Sequence, residues 1–178
     1  SKSGASTPQL KLSQDGFSTM RDVRAARIAI FNGDVKAAKA LVDQATADIG
    51  KVRADERAMD RPQGNWVPID GQMIIADDFV NTPQKAAHLS SGNQKLKEGK
   101  VGDAVQELKL AEVDVGYSRV LMPLDSTRRQ ISMAAGLLSV DKYYEANMVL
   151  KAAEDGLVTD TVAIVEVPKS AAAAAPKS

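Results

Sequence analysis

Three stretches of the chain share one spacing of apolar and small positions. Gly33, Val35, Ala38, Val42 and Ala45 form the first. Gly99, Val101, Ala104, Leu108 and Ala111 form the second, and Asp141, Tyr143, Ala146, Leu150 and Ala153 the third. After a turn residue the positions advance by alternating steps of three and four, which keeps them on one face of a helix. Small residues along such a face let a second helix approach closely. The pattern therefore predicts packed helix hairpins.

The remaining elements follow from the same reading. The first helix is predicted from Asp15–Gly16 to about Asn32, with Phe17, Met20, Val23, Ile28 and Phe31 as its apolar positions. Asn32–Gly33 stops it, because glycine accepts the left-handed backbone of a helix end, and Asp34 caps the next helix. That helix should run to about Met59, before Pro62 and Gly64. Asp70–Gly71 lies between two β-prone runs, 66–69 and 72–76, and predicts a hairpin with a tight turn. Pro68 confines the first run to an edge or a short piece. Thr82–Pro83 opens a helix reaching about Glu98. After the turn at Gly99–Gly102, the next helix covers Asp103 to about Val115.

Segment 117–122 fits either a helix continuation or a strand; Gly116 and its β-prone content favour a strand ending at Pro123. Asp125 or Ser126 caps a further helix carrying Ile131, Ala135 and Leu138. The third striped unit ends at Gly156. Residues 161–167 form a strand that Pro168 stops. Runs 66–69, 72–76 and 161–167 are expected to pair, with 117–122 as a possible fourth member.

The fold class is thus mainly α with a small β-sheet: degenerate helix hairpins of tetratricopeptide-like spacing plus short strands. The striped units start at uneven intervals, both longer than the ~34 residues of a regular solenoid, so sheet segments are inserted between hairpins. Residues 1–12 read as a flexible leader, 13–168 as a single globular domain, and 169–178 as a disordered alanine-rich tail.

Composition narrows the function classes. The 178 residues hold 23 basic and 23 acidic side chains, with no basic cluster of the kind that neutralises phosphates, so nucleic acid is not an expected partner. No run is apolar and long enough to span a bilayer. There is no cysteine, which removes disulfides and thiolate metal sites. Aromatic residues make up 4% of the chain, and alanine supplies much of its apolar content. Such a thin core is often completed by oligomerisation, so a homo-oligomer is expected.

The chemistry-bearing residues are scattered. His88, the single histidine, has no second histidine or cysteine to make a site and reads as structural or solvated. The paired carboxylates Asp77–Asp78 point apart on a strand or a helix, so capping explains them better than cation binding. No glutamate among Glu56, Glu98, Glu107, Glu112, Glu145, Glu154 and Glu166 is singled out as an acid. Arg21, Arg24 and Arg27 lie on one side of the first helix, and Arg128–Arg129 add further charge. An anion could sit there, although solvated helix faces often look this way. Tyr143 is expected in the core, with Tyr144 beside it. Trp66 is the single tryptophan, and burial between sheet and helices is favoured over an exposed stacking surface.

Over nearly its full length the chain is similar to the YfdX family of small, helix-rich enterobacterial proteins. The resemblance is carried by Gly33-Asp-Val-Lys-Ala-Ala-Lys, Trp66-Val-Pro-Ile-Asp-Gly and Val120-Leu-Met-Pro-Leu. It implies a secreted, periplasmic protein linked to stress response, without accepted catalytic residues. The resulting expectation is a non-enzymatic interaction protein needing no cofactor and no metal, with a protein or small molecule as partner. Its contact surface is placed at Trp66, Pro68, Asp70 and Gly71 with neighbouring helix ends. A murein hydrolase using a glutamate acid and a carrier of a small apolar molecule are the alternatives.

Overall fold

A computed structural model describes residues 10–61 and 63–168. Among these residues the chain forms α1 (Gln14–Phe31), α2 (Val35–Gly50), β1 (Trp66–Ile75), α3 (Pro83–Lys97), α4 (Val101–Lys109), β2 (Val115–Pro123), α5 (Leu124–Ser139), α6 (Tyr143–Asp155) and β3 (Val158–Val165). A short 3-10 turn, Ala54–Glu56, lies between α2 and β1. The fold is mainly α with a small antiparallel sheet, as the pattern predicted.

The three alanine stripes are seams. Ala38, Val42 and Ala45 of α2, Ala104 and Leu108 of α4 with Ala111 in the turn after it, and Ala146, Leu150 and Ala153 of α6 are all fully buried. Each hairpin turn is closed by a residue in the left-handed region: Gly33 at φ 74°, Gly99 at 80° and Asp141 at 59°. The α1–α2 and α5–α6 hairpins pack together, α1 on α6 and α2 on α5. They enclose the larger core, which includes Val23, Ile49, Ile131, Leu138 and Leu150.

The sheet has the order β1-β2-β3, with β2 pairing antiparallel on both sides. The predicted hairpin about Asp70–Gly71 is absent. Run 66–69 and run 72–76 up to Ile75 are one continuous strand, and both pair with β2 instead of with each other. Gly71 serves a different purpose from a turn: a Cβ there would fall 2.4 Å from the Tyr117 hydroxyl on β2. The ring lies across the bare backbone, which is a side-chain-free site in a strand covered by an aromatic neighbour. The register shifts between Pro68 and Asp70, so Ile69 is an extra residue in β1, and it is buried in the larger core. Segment 117–122, which fitted a helix continuation as well as a strand, belongs to the central strand.

The face of β2 bearing Val115 and Tyr117 is covered by the α3–α4 hairpin, forming a second core with Leu89, Leu96 and Leu108. Leu10 is fully buried in it, and the Ser13 backbone N–H donates to the Pro68 carbonyl at 2.8 Å. The packed chain therefore begins by residue 10 rather than at 13, because Leu10 fills space beside α3 and α4. Residues 1–9 of the expected leader and the whole expected tail, 169–178, lie outside the described residues. The second helix ends at Gly50 instead of about Met59. The Glu56 carboxylate there accepts from the Arg53 backbone N–H at 2.8 Å and from the Ser13 hydroxyl at 3.2 Å, which holds the chain in a separate turn. The fifth helix starts after Pro123 without a side-chain cap. Asp125 instead accepts from the Asn65 amide at 2.6 Å.

Candidate interaction surface

The four residues expected to form the contact surface sit along β1 and do not converge. Trp66 is half-buried, with the Arg61 guanidinium 5.1 Å from its ring centre. Pro68 is buried, Gly71 lies under Tyr117, and Asp70 is exposed. The Asp70 carboxylate accepts from the Gly71 backbone N–H at 2.8 Å. Of the four, Asp70 borders an open depression of about 500 Å³, whose walls include Phe17, Met20, Arg24, Leu157 and Glu154. The surface therefore gathers where α1, the middle of β1 and the end of α6 meet.

α1 approaches this place with a face the apolar pattern mispredicted. Met20 and Val23 are buried, yet Phe17, Ile28 and Phe31 point outward. The buried side of α1 is made from Thr19, Met20, Asp22, Val23, Ala26 and Ala29. Close packing against α2 and α6 favours the small side chains among them, Ala26 and Ala29. The three arginines also separate. Arg21 and Arg24 are exposed, whereas Arg27 turns toward α6. It donates to the Asn147 side-chain oxygen at 3.0 Å and to the Glu154 carboxylate at 2.9 Å. The other Glu154 oxygen is buried without a hydrogen-bond partner among the described residues. A second depression, about 360 Å³, continues the groove past Arg24, Arg27 and Glu154 to Ile28 and Phe31.

The other candidate groups are tied into structural pairs. The His88 imidazole meets the Glu107 carboxylate at 2.8 Å, linking α3 to α4. That hydrogen bond holds Glu107 below its ordinary range. Asp77 and Asp78 are exposed in a turn, and Thr82, not either aspartate, caps α3. Among the described residues no group of acidic and histidine side chains has the arrangement of a metal site. Tyr143 is half-buried, donating to Asp141 at 2.7 Å, and Tyr144 is exposed.

Two buried ionic groups escaped sequence reasoning. Arg119, in the middle of β2, is fully buried. It is gripped by Asp160 of β3 at 2.8 and 2.7 Å and by Asp60 at 3.2 and 2.8 Å. These hydrogen bonds hold Asp160 below its usual range and Arg119 above its own, against the burial that opposes its charge. Asp22 of α1 is buried, and burial pushes its carboxyl up. A hydrogen bond and repulsion from Asp48 of α2 act the same way, and Arg21 opposes them. A charged residue at the centre of an otherwise apolar strand was the available signal for Arg119. Asp22 offered none, because its partner lies on another helix.

Known proteins share this arrangement. The family model described as "YfdX protein" matches residues 19–163. The chain is 35% identical over 161 residues to "Protein YfdX" of Escherichia coli (strain K12), covering 86% of this chain and 76% of that protein. It also superposes on a solved structure of YfdX from Salmonella Typhi, with a TM-score of 0.68 and 30% identity. That match covers 88% of this chain and 93% of the other. With the matched span running from within α1 to within β3, the chain belongs to the YfdX family.

Proposed function

We propose that this chain is a non-enzymatic, periplasmic, stress-associated protein that acts by binding another molecule where α1, β1 and α6 meet. The observation that carries the reading is the composition of that surface. Phe17, Ile28 and Phe31 stand open to solvent around two depressions that share Arg24 and Glu154 in their walls. Exposed large apolar groups beside an open groove are a recurrent mark of interaction sites. Family membership is the ground for the periplasmic and stress assignments.

A murein hydrolase acting through a glutamate requires a carboxyl held protonated in a cleft. Glu98 and Glu107 are instead pushed down by hydrogen bonds from Gln94 and His88. The carboxyl pushed up, Asp22, is sealed between α1 and α2. The test joins two measurements on the full chain. Incubation with purified murein sacculi should release no muropeptides, and a photo-cross-linker at position 70 should capture a partner in stressed cells while one at position 100 does not. Muropeptide release that disappears on a single Glu→Gln substitution would overturn the reading.

A further inference from the structure

The residues of α1 that lie open to solvent are Gln14, Phe17, Arg21, Arg24, Ile28 and Phe31. They advance by three, four, three, four and three positions, the seam spacing by which one helix receives another. The line rises about 25 Å, nearly five turns. After Gln14 at its start, it is apolar at Phe17, basic at Arg21 and Arg24 and apolar again at Ile28 and Phe31, and it contains no acidic residue. Exposure reaches 44% at Phe17, 54% at Ile28 and 89% at Phe31. α1 is thus apolar on two sides: one faces the core through Met20, Val23 and Ala26, and the other faces solvent.

We propose that the outer face of α1 docks an amphipathic helix from a different protein, with apolar side chains toward its ends and Asp or Glu between them. This rests on the interaction reading above and specifies the partner. Charge decides against a second copy of the chain. In a parallel self-pairing Arg21 meets Arg21 and Arg24 meets Arg24. In an antiparallel one Arg21 meets Arg24 twice. Either way four guanidiniums crowd one seam, where like charges are destabilising. A partner with carboxylates at the centre turns that repulsion into attraction.

Arg24 is suited to this. It is exposed and makes no ion pair among the described residues, while Arg21 lies 3.5 Å from Asp22 and Arg27 is held by Glu154. The apolar requirement falls at Phe17 on one side and at Ile28 and Phe31 on the other. Asp70 borders the Phe17 end, which disfavours acidic groups there and leaves the centre as their place.

Three fluorescein-labelled helical peptides of about 25 residues, spanning the seam, serve as probes. They have leucines at the flanking seam positions and Glu, Gln or Lys at the two central ones. Binding to the full chain is read by anisotropy. The Glu peptide should bind at least about tenfold more tightly than the Lys peptide, with Gln between them. Arg24→Glu should reverse that order, and Phe31→Ala should weaken all three without altering it. Melting curves of both variants matching the parent establish that each is folded. Equal binding of the three peptides, no binding, or an order that Arg24→Glu leaves unchanged overturns the proposal. A parent that is dimeric by light scattering and becomes monomeric on Phe31→Ala assigns the face to a second copy and also overturns it. So does Phe31-dependent sedimentation with phosphatidylglycerol vesicles in place of peptide binding. If peptides fail while cross-linking at position 70 persists, the helix seam falls and the interaction reading stands.

Discussion

Asp22 and Asp160 are both carboxylates at least partly withdrawn from water, yet they act on stability in opposite directions. Asp160 lies opposite Arg119 across the β2–β3 ladder and is held low by it. Its contribution is present above the ordinary carboxylate range and is lost as pH falls through its lowered value. Asp22 is held high, so its folded form favours the proton. The stability it contributes is present below the ordinary carboxylate range and fades as pH rises through its raised value. Urea unfolding across pH should show this directly. Asp160→Asn should weaken the protein at neutral pH, with the gap from the parent closing in acid. Asp22→Asn should strengthen it at neutral pH, with that gap also closing in acid. A gap for Asp22→Asn that widens in acid would contradict the burial argument. Neither role was legible in the sequence, because each depends on a residue far along the chain.

At the scale of elements, the alanine stripes were readable because a helix writes its buried face at a fixed period. Ala38, Ala104 and Ala146 are fully buried, as that period required. Replacing Ala104 with leucine should cost about 1–3 kcal/mol by overfilling the contact between α3 and α4. The same change at solvent-facing Lys100 should cost little, and equal melting temperatures for the two variants would contradict the seam. Strands were harder. β1 was split at Asp70–Gly71 because that dipeptide favours a turn, whereas the glycine is needed for room under Tyr117. The middle of β2 was obscured by Ser118 and Arg119, which interrupt its apolar run. α1 misled differently: Phe17, Ile28 and Phe31 are outside, while its buried face combines Met20 and Val23 with Ala26 and Ala29. The outer line mixes phenylalanine and isoleucine with arginine, so a search for apolar positions alone merges it with the core face. Its three-four spacing and lack of acidic residues were the signal available.

Across the whole molecule, two cores share one sheet. Four helices close over the larger core, the α3–α4 hairpin covers the other, and Arg119 ties β2 to β3 and to Asp60 in the segment before β1. With small residues building much of the seams, Phe17, Ile28 and Phe31 of α1 are left free for a partner. Thermal unfolding of the Ile28→Ser/Phe31→Ser double variant tests that division most directly. The account predicts stability within about 0.5 kcal/mol of the parent, as for surface positions. A loss of ~3–5 kcal/mol, the size expected when a core phenylalanine is truncated, would place these residues inside the fold and contradict it.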